Sequence, residues 1–298
     1  MKTTGVFLAL ALAGSAVAQS APLTVAQSAP LTVAQSAPST DTQSAPSTDT
    51  QSAPQELRFV GCPIYRDTDA GKKSGCWLTD DHENGQRYDI SQALTKPDRA
   101  HAILVEGREQ GGSILACGSK PLLPVRVSVL WDVPCTADQL PAEGFTGRKY
   151  ALPARNMRPT YEKQSVGQVD QPRDFVIPFD YNSTFVTYQL ADYYIQKLVN
   201  FALASHAKAI TIVGYADTKP TTISGIRIAE PKTLAADRAA LIRQWLVGLG
   251  VPPGVITIRG AGDPATIKHE AFDGLLAPSR RRVDVHVVPG NAVNQTPR

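Results

Sequence analysis

Apolar residues recur with a helical period in the segment LAADRAALIRQWLVGLG, residues 234–250. At about 100° per residue, one arc of the helical wheel collects the large apolar side chains Leu234, Leu241, Ile242, Trp245, Leu246 and Leu249. The pattern predicts an amphipathic helix at 233–249. Arg238 falls inside this arc, and an arginine whose stem packs on an apolar face usually carries its guanidinium to the edge of that face.

The apolar run before this helix predicts a buried strand at 209–215, which ends in a turn that carries Asp217. Asp217 is therefore the nearest acidic candidate to meet Arg238. Two interpretations of the pair stand open. It can be a plain salt bridge, or the two side chains can bind one zwitterion, with Asp217 holding an ammonium group and Arg238 a carboxylate.

Four further elements complete the C-terminal half. The sequence predicts strands at 175–179, 255–259 and 282–288 and a helix at 187–205. In the last strand, valines at 283, 285 and 287 alternate with polar residues, as in a strand with one buried face. The order β-α-β-α-β-β predicts an α+β fold, a two-layer sandwich with both helices on one face of a mixed sheet.

Residues 56–150 show short runs with strand character and no helical period. The runs are Arg58–Val60, Gly75–Thr79, Arg87–Ile90, Ala102–Glu106 and Val125–Leu130. Five short strands in about 75 residues fit a small closed barrel of the OB type better than an open sheet, so a small all-β domain is predicted here. The proline-punctuated residues 151–172 predict a linker to the C-terminal domain at 173–288, and residues 289–298 form a tail.

The first 55 residues are predicted to lie outside both domains. Residues 1–18 have the charged start, apolar run and small-residue cleavage site of a signal peptide, so an exported protein is expected. Ser15 stands where a lipoprotein signal would carry a cysteine, and no acylation is expected. Residues 19–55 repeat QSAP every eight residues and predict a disordered arm, because so short a polar repeat cannot bury a core.

All four cysteines lie in the predicted β-rich domain, at Cys62, Cys76, Cys117 and Cys135. In an exported, helix-poor domain of this size, an even count predicts two disulfide bonds. Of the three pairings, Cys62–Cys76 with Cys117–Cys135 closes the shortest loops and is preferred. A zinc site is the competing interpretation, but the spacings contain no C-x-x-C pair.

Charge and motifs limit the functional classes. The formal net charge is +3 with acids and bases interspersed, so no strong field favours nucleic acid. After the first twenty residues, no window is long and apolar enough to span a bilayer. The sequence contains no recognisable nucleophile–base motif, phosphate-binding glycine loop or metal-ligand motif, and therefore no catalytic residue, cofactor or metal site is predicted.

Five blocks of the C-terminal half resemble, in the same order, the OmpA C-terminal family, whose members are peptidoglycan-binding domains of Gram-negative envelopes. The blocks are Phe179–Asn182, Gly214–Asp217, Leu234–Ala239, Ile258–Gly262 and Arg281–Val285. The resemblance covers about residues 173–288 and implies the same two-layer fold. In that family, the aspartate and the arginine at the positions of Asp217 and Arg238 bind the diaminopimelate of the stem peptide.

The resemblance implies a non-enzymatic protein of the periplasm, associated through peptidoglycan with the cell wall or outer membrane of a Gram-negative bacterium. Asp217 and Arg238 are the candidate ligand-binding residues, and Tyr215, Thr218 and Arg281 are further candidates. The cysteine-containing domain at 56–150 is expected to present a second surface, for an envelope protein.

The chain departs from the family pattern near the candidate site. Pro231 and Ala235 replace an asparagine and a serine, and Arg280 stands in place of another asparagine. The segment between Asp217 and Arg238 is also longer than in close relatives. Because lost polar groups weaken contacts to a stem peptide, a second interpretation stays open: an OmpA-like module that has lost peptidoglycan and serves as an interaction scaffold.

Overall fold

Strands β5 (His101–Glu109) and β6 (Lys120–Pro134) pair antiparallel along most of their length and form the centre of the N-terminal half. The computed structural model describes residues 55–69, 75–111, 117–146, 166–186 and 190–290. The predicted signal peptide, the repeat arm, most of the predicted linker and the tail from residue 291 lie outside the described residues. All described residues belong to one compact unit, which spans Gln51–Arg298.

Seven strands form one sheet in the N-terminal half, in the order β1-β5-β6-β4-β3-β2-β7. The other five are β1 Glu56–Gly61, β2 Pro63–Arg66, β3 Cys76–Asp81, β4 Gln86–Asp89 and β7 Asp138–Leu140. The five predicted strands are present, and β2 and β7 are additional. Within the described residues β1 and β7 each have one neighbour and do not pair with each other, so no closed barrel is found there and the predicted barrel is not confirmed.

Two disulfide bonds hold this half together, but their pairing differs from the preferred one. Cys62 is bonded to Cys135, and Cys76 is bonded to Cys117. The short strands β2 and β7 pair in parallel, which brings the residues that precede them side by side. Loop-closure entropy changes slowly with loop length, so strand pairing decides which cysteines meet.

The C-terminal half has the predicted order of elements. Its sheet has the order β12-β9-β13-β8, in which β9 and β12 are parallel and β13 is antiparallel to both neighbours. The strands are β8 Arg173–Pro178, β9 Ala209–Ala216, β12 Ile256–Gly262 and β13 Arg282–Val288. The helices are α1 Gln196–Ala204 and α2 Thr233–Gly248. A π-helical turn at Ala191–Ile195 directly precedes α1. A hairpin, β10 Thr221–Ile223 and β11 Ile226–Ile228, is inserted between β9 and α2. None of the helices described is long and apolar enough to cross a membrane.

Helix α2 packs directly on β9 through a glycine. A Cβ atom added to Gly214 would lie 1.9 Å from the carbonyl oxygen of Ala235, so only glycine allows this approach. The core between the helices and the sheet is built from buried apolar residues, among them Ile177, Leu198, Phe201, Ile210, Ile212, Ile242, Leu246, Val283, Val285 and Val287. The close packing brings the first turns of α2 beside the end of β9, where Asp217 follows.

The two halves are packed against each other. The hairpin residues Ile223 and Ile228 share a buried cluster with Val60, Leu104 and Leu130 of the N-terminal sheet. Polar contacts also join the two halves. The guanidinium groups of Arg108 and Arg126 donate to the carbonyls of Gly274 and Ala271, and the Glu56 carboxylate accepts the N–H groups of Leu276 and Ala277.

Candidate functional site

The Arg238 side chain is fully buried and makes the largest possible number of hydrogen bonds. Its Nε donates to the carbonyl of Ser183 at 3.0 Å, Nη1 to the carbonyl of Tyr215 at 2.8 Å, and Nη2 to the carbonyl of Asp180 at 3.0 Å. The remaining two N–H groups donate to Glu230. Because a guanidinium has five N–H donors, every donor of Arg238 has a partner within the chain.

Glu230 is the carboxylate that Arg238 holds. Arg238 Nη2 lies 2.6 Å from Glu230 Oε1, and Nη1 lies 3.0 Å from Oε2. The backbone N–H of Asn182 donates to Oε1 at 2.8 Å and that of Asp217 donates to Oε2 at 2.7 Å. We call the Arg238 guanidinium together with these two backbone N–H groups the carboxylate receptor. Its donors are the charge-assisted kind that bind a carboxylate most strongly.

The backbone N–H of Asp217 belongs to the carboxylate receptor, whereas its side-chain carboxylate faces two positively charged arginines. Arg280 Nε donates to Asp217 Oδ1 at 2.8 Å, and Arg58 Nη2 of β1 lies 3.6 Å from Oδ2. Arg280 also reaches Asp263 through its Nη2. We call the Asp217 carboxylate the cation receptor. Among the described residues Asp217 and Arg238 form no ion pair with each other, so the plain salt bridge considered for them is not what the fold contains.

The further candidates have different surroundings. Tyr215 contributes its carbonyl to Arg238, and its ring lies 4.5 Å from the guanidinium carbon of Arg282. Thr218 directly follows Asp217, and its N–H donates to the carbonyl of Ala216 at 3.1 Å. Arg281 pairs with Glu106 of the N-terminal half, and the negative charges of Glu230 and Asp217 also help to raise the pKa of its guanidinium.

Sequence reasoning assigned no role in the site to four residues that shape it, namely Glu230, Arg280, Arg58 and Glu106, although it named Arg280 as a departure from the family pattern. The sequence carried one signal for each of Glu230 and Arg280. The segment that carries Glu230 is longer than in the family, and Arg280 stands where the family has an asparagine. The sequence near Arg58 and Glu106 carries no such signal. Arg58 Nε donates to Glu106 Oε1 at 3.0 Å, which links Asp217 to the Glu106–Arg281 pair.

The described residues contain no group of three or more histidine, cysteine, aspartate or glutamate side chains that could hold a metal ion. What the site offers is a carboxylate receptor and a cation receptor side by side, with Asp217 common to both. Both receptors are occupied by side chains of the protein itself.

Residues 179–274 match the model of the OmpA family, which is 96 of the 298 residues, and the C-terminal domain is OmpA-like. Among solved structures, the OmpA-like domain of FopA1 from Francisella tularensis subsp. tularensis SCHU S4 is 21% identical, over 40% of this chain and 73% of that chain, with a TM-score of 0.31. The cell wall anchor of the T6SS from Pseudomonas aeruginosa is 18% identical, over 40% and 82%, with a TM-score of 0.31. The peptidoglycan-associated lipoprotein from Burkholderia pseudomallei is 22% identical, over 38% and 89%, with a TM-score of 0.29. No curated protein matches the chain.

Proposed function

We propose that this protein is a non-enzymatic cell-envelope protein of the periplasm that associates with peptidoglycan through its OmpA-like domain. Its ligand is the diaminopimelate of the stem peptide, bound by Asp217 and Arg238. One observation carries the proposal: the Arg238 guanidinium and the Asp217 backbone N–H both donate to a single carboxylate oxygen, Glu230 Oε2. Asp217 therefore helps to hold a carboxylate through its backbone N–H and offers its own side-chain carboxylate to a cation.

Diaminopimelate suits this arrangement because the end of its side chain carries an ammonium group and a carboxylate on one carbon. Such a ligand requires a carboxylate receptor and a cation receptor next to each other. Asp217 belongs to both, through its backbone N–H in one and its side chain in the other. Charge-assisted hydrogen bonds of this kind are about twice as strong as neutral ones.

A second candidate is the interaction scaffold, an OmpA-like module that no longer binds peptidoglycan. It is favoured by the occupancy of the two receptors, with Glu230 in one and Arg280 and Arg58 at the other. In that case the receptors serve to hold the β-rich half in place, and the protein presents its remaining surface to an envelope partner.

Co-sedimentation with purified sacculi tests the first proposal. Asp217→Asn keeps the size of the side chain but removes the charge that an ammonium group needs. Since a hydrogen bond to a charged group contributes about 1.5–3 kcal/mol, we expect binding at least about tenfold weaker than that of the wild type. Asp263→Asn is the matched control, because Asp263 also bonds Arg280 but is half exposed and lies outside both receptors.

Sacculi whose stem peptides carry lysine in place of diaminopimelate supply the ligand control. Lysine keeps the ammonium group and lacks the second carboxylate, so binding should fall by a similar factor. If the wild type and Asp217→Asn sediment equally well with both kinds of sacculi, Asp217 has no part in binding and the diaminopimelate proposal is wrong.

A further inference from the structure

We infer that Glu230 is an internal ligand of the carboxylate receptor, which a stem peptide must displace before its diaminopimelate can bind. The inference rests on the proposed function, because it concerns the same site. It makes Glu230 a residue that sets affinity and specificity: only a ligand that competes with a tethered carboxylate gains access to Arg238.

The backbone around Glu230 is fixed so that its side chain points into the receptor. The Tyr181 hydroxyl donates to the carbonyl of Ala229 at 3.1 Å and accepts its N–H at 3.0 Å. The N–H of Glu230 donates to the carbonyl of Asp217 at 2.8 Å. Both carboxylate oxygens of Glu230 then receive two hydrogen bonds each, the number that a bound carboxylate ligand would receive from the same donors.

The hairpin that precedes Glu230 is held by the N-terminal half. Ile223 and Ile228 are 7% and 3% exposed because they pack on the N-terminal sheet. The N–H of Val60 donates to the Ser224 hydroxyl in the hairpin turn at 3.1 Å. The position of the internal carboxylate is therefore coupled to the docking of the β-rich half.

The cation receptor is filled from within as well. Arg280 is the last residue of the 3-10 turn Ala277–Arg280 of the OmpA-like domain, and Arg58 belongs to β1 of the other half. Their guanidinium groups face the Asp217 carboxylate as the ammonium group of a ligand would. The Glu230 carboxylate thus takes the place of the ligand's carboxylate, and the guanidinium groups of Arg280 and Arg58 take the place of its ammonium group.

Internal occupancy lowers apparent affinity without abolishing binding. A group on the same chain competes at an effective concentration on the order of millimolar. If the site is free in about one molecule in ten, the apparent affinity for an external ligand is about tenfold weaker than the intrinsic affinity. Removal of an internal ligand should therefore strengthen binding.

The first test uses a small carboxylate in place of the missing side chain. Glu230→Ala leaves a space in front of Arg238, which acetate can fill. At about 100 times its dissociation constant, acetate should raise the unfolding midpoint of this variant by about 5–10 °C relative to chloride at equal ionic strength. In Glu230→Gln the amide refills the space, so this variant and the wild type should gain no more from acetate than from chloride.

The second test measures sacculus binding of variants with an opened site. Glu230→Ala and Arg280→Asn should each bind sacculi about tenfold more tightly than the wild type. Arg280→Asn keeps the Glu230–Arg238 pair and stays informative if circular dichroism finds Glu230→Ala unfolded. Arg227→Asn, which removes an exposed arginine from β11, is the control for the lost positive charge and should bind as the wild type does.

The outcomes separate the inference from the proposed function. If acetate stabilises the wild type as much as Glu230→Ala, or if the wild type binds sacculi as tightly as the opened variants, the internal ligand is refuted and peptidoglycan binding can still hold. If acetate stabilises only Glu230→Ala and no variant binds sacculi, the internal ligand is supported and the proposed function fails.

Discussion

Glu106 of β5 and Arg281, which directly precedes β13, form an ion pair in which each side chain is only 1% exposed. Arg281 Nη1 lies 3.2 Å from Glu106 Oε1. Burial alone lowers the pKa of the Arg281 guanidinium, but the negative charge of Glu106 and its hydrogen bond outweigh burial, so this pKa is raised above its usual value. The two halves of the protein are therefore joined by a buried ion pair beside the candidate site.

Glu106→Ala should lower the free energy of unfolding by about 3–5 kcal/mol, because Arg281 is left charged and buried without its partner. Urea denaturation measures the effect. Glu109→Gln is the control from the same strand, because its amide oxygen can still accept from the Tyr88 hydroxyl. The change removes only the solvent-exposed pair with Lys120 at 3.5 Å, which contributes at most about 1 kcal/mol. If Glu106→Ala lowers the free energy of unfolding no more than the control does, the buried Glu106–Arg281 ion pair is wrong.

Asp180 should make stability fall as the pH rises. Burial raises the pKa of its carboxyl group, although the Thr95 hydroxyl donates to it at 2.5 Å. A raised pKa in the folded state gives stabilisation that is complete below the unfolded pKa of about 3.9 and is lost as the pH rises through the folded pKa. The stability of the wild type relative to Asp180→Asn should therefore decrease from about pH 4 toward neutral pH, as denaturant midpoints can measure.

Asp80 should have the opposite dependence. Hydrogen bonds from Arg87, at 2.6 and 2.7 Å, lower the pKa of the Asp80 carboxyl group. Its stabilisation is present above the unfolded pKa and is lost as the pH falls through the folded pKa. The stability of the wild type relative to Asp80→Asn should thus decrease toward acid. Slopes of equal sign for Asp80→Asn and Asp180→Asn would show that one of the two environments is wrongly assigned.

Gly214→Ala should displace helix α2. The added Cβ would meet the backbone carbonyl of Ala235, which cannot rotate away, so the helix must move and the free energy of unfolding should fall by about 1–3 kcal/mol. Because α2 carries Arg238, sacculus binding should weaken too. Gly248→Ala, at the end of the same helix, meets nothing within 4 Å and should be neutral or stabilising. Equal stability of the two variants would refute the close packing.

Non-reducing peptide mapping should recover Cys62 linked to Cys135 and Cys76 linked to Cys117. Replacing either pair by serine should lower the free energy of unfolding by about 4 kcal/mol, because each bond closes a loop of tens of residues in the unfolded chain. A peptide in which Cys62 is linked to Cys76 would contradict the strand order.

The sequence was informative wherever structure depends on residues close in the chain. The alternation in β13 predicted the buried valines. The apolar arc of α2 predicted that the stem of Arg238 lies on the core side of the helix, but its guanidinium, which was expected at the edge of that face, is fully buried. The partner of Arg238 was not predictable, because Glu230 lies in a segment without periodicity and its other donors include Asn182, 48 positions away. The disulfide pairing failed for the same reason, since it follows from the pairing of β2 with β7.

Arg281 lies 175 positions after Glu106, and this distance affects the order of events during synthesis. The N-terminal strands leave the ribosome long before Arg281, the second of the two arginines that pair with the buried Glu106 carboxylate, has been made. Arg58 pairs with Oε1 of Glu106 from within the same half, but Oε2 receives its hydrogen bond from Arg281. Because a buried carboxylate oxygen without a partner is costly, this half cannot complete its packing until nearly the whole chain is available. Folding is then a late event that involves both halves at once rather than one domain after the other. A nascent chain released before residue 281 should therefore remain an easy substrate for proteases.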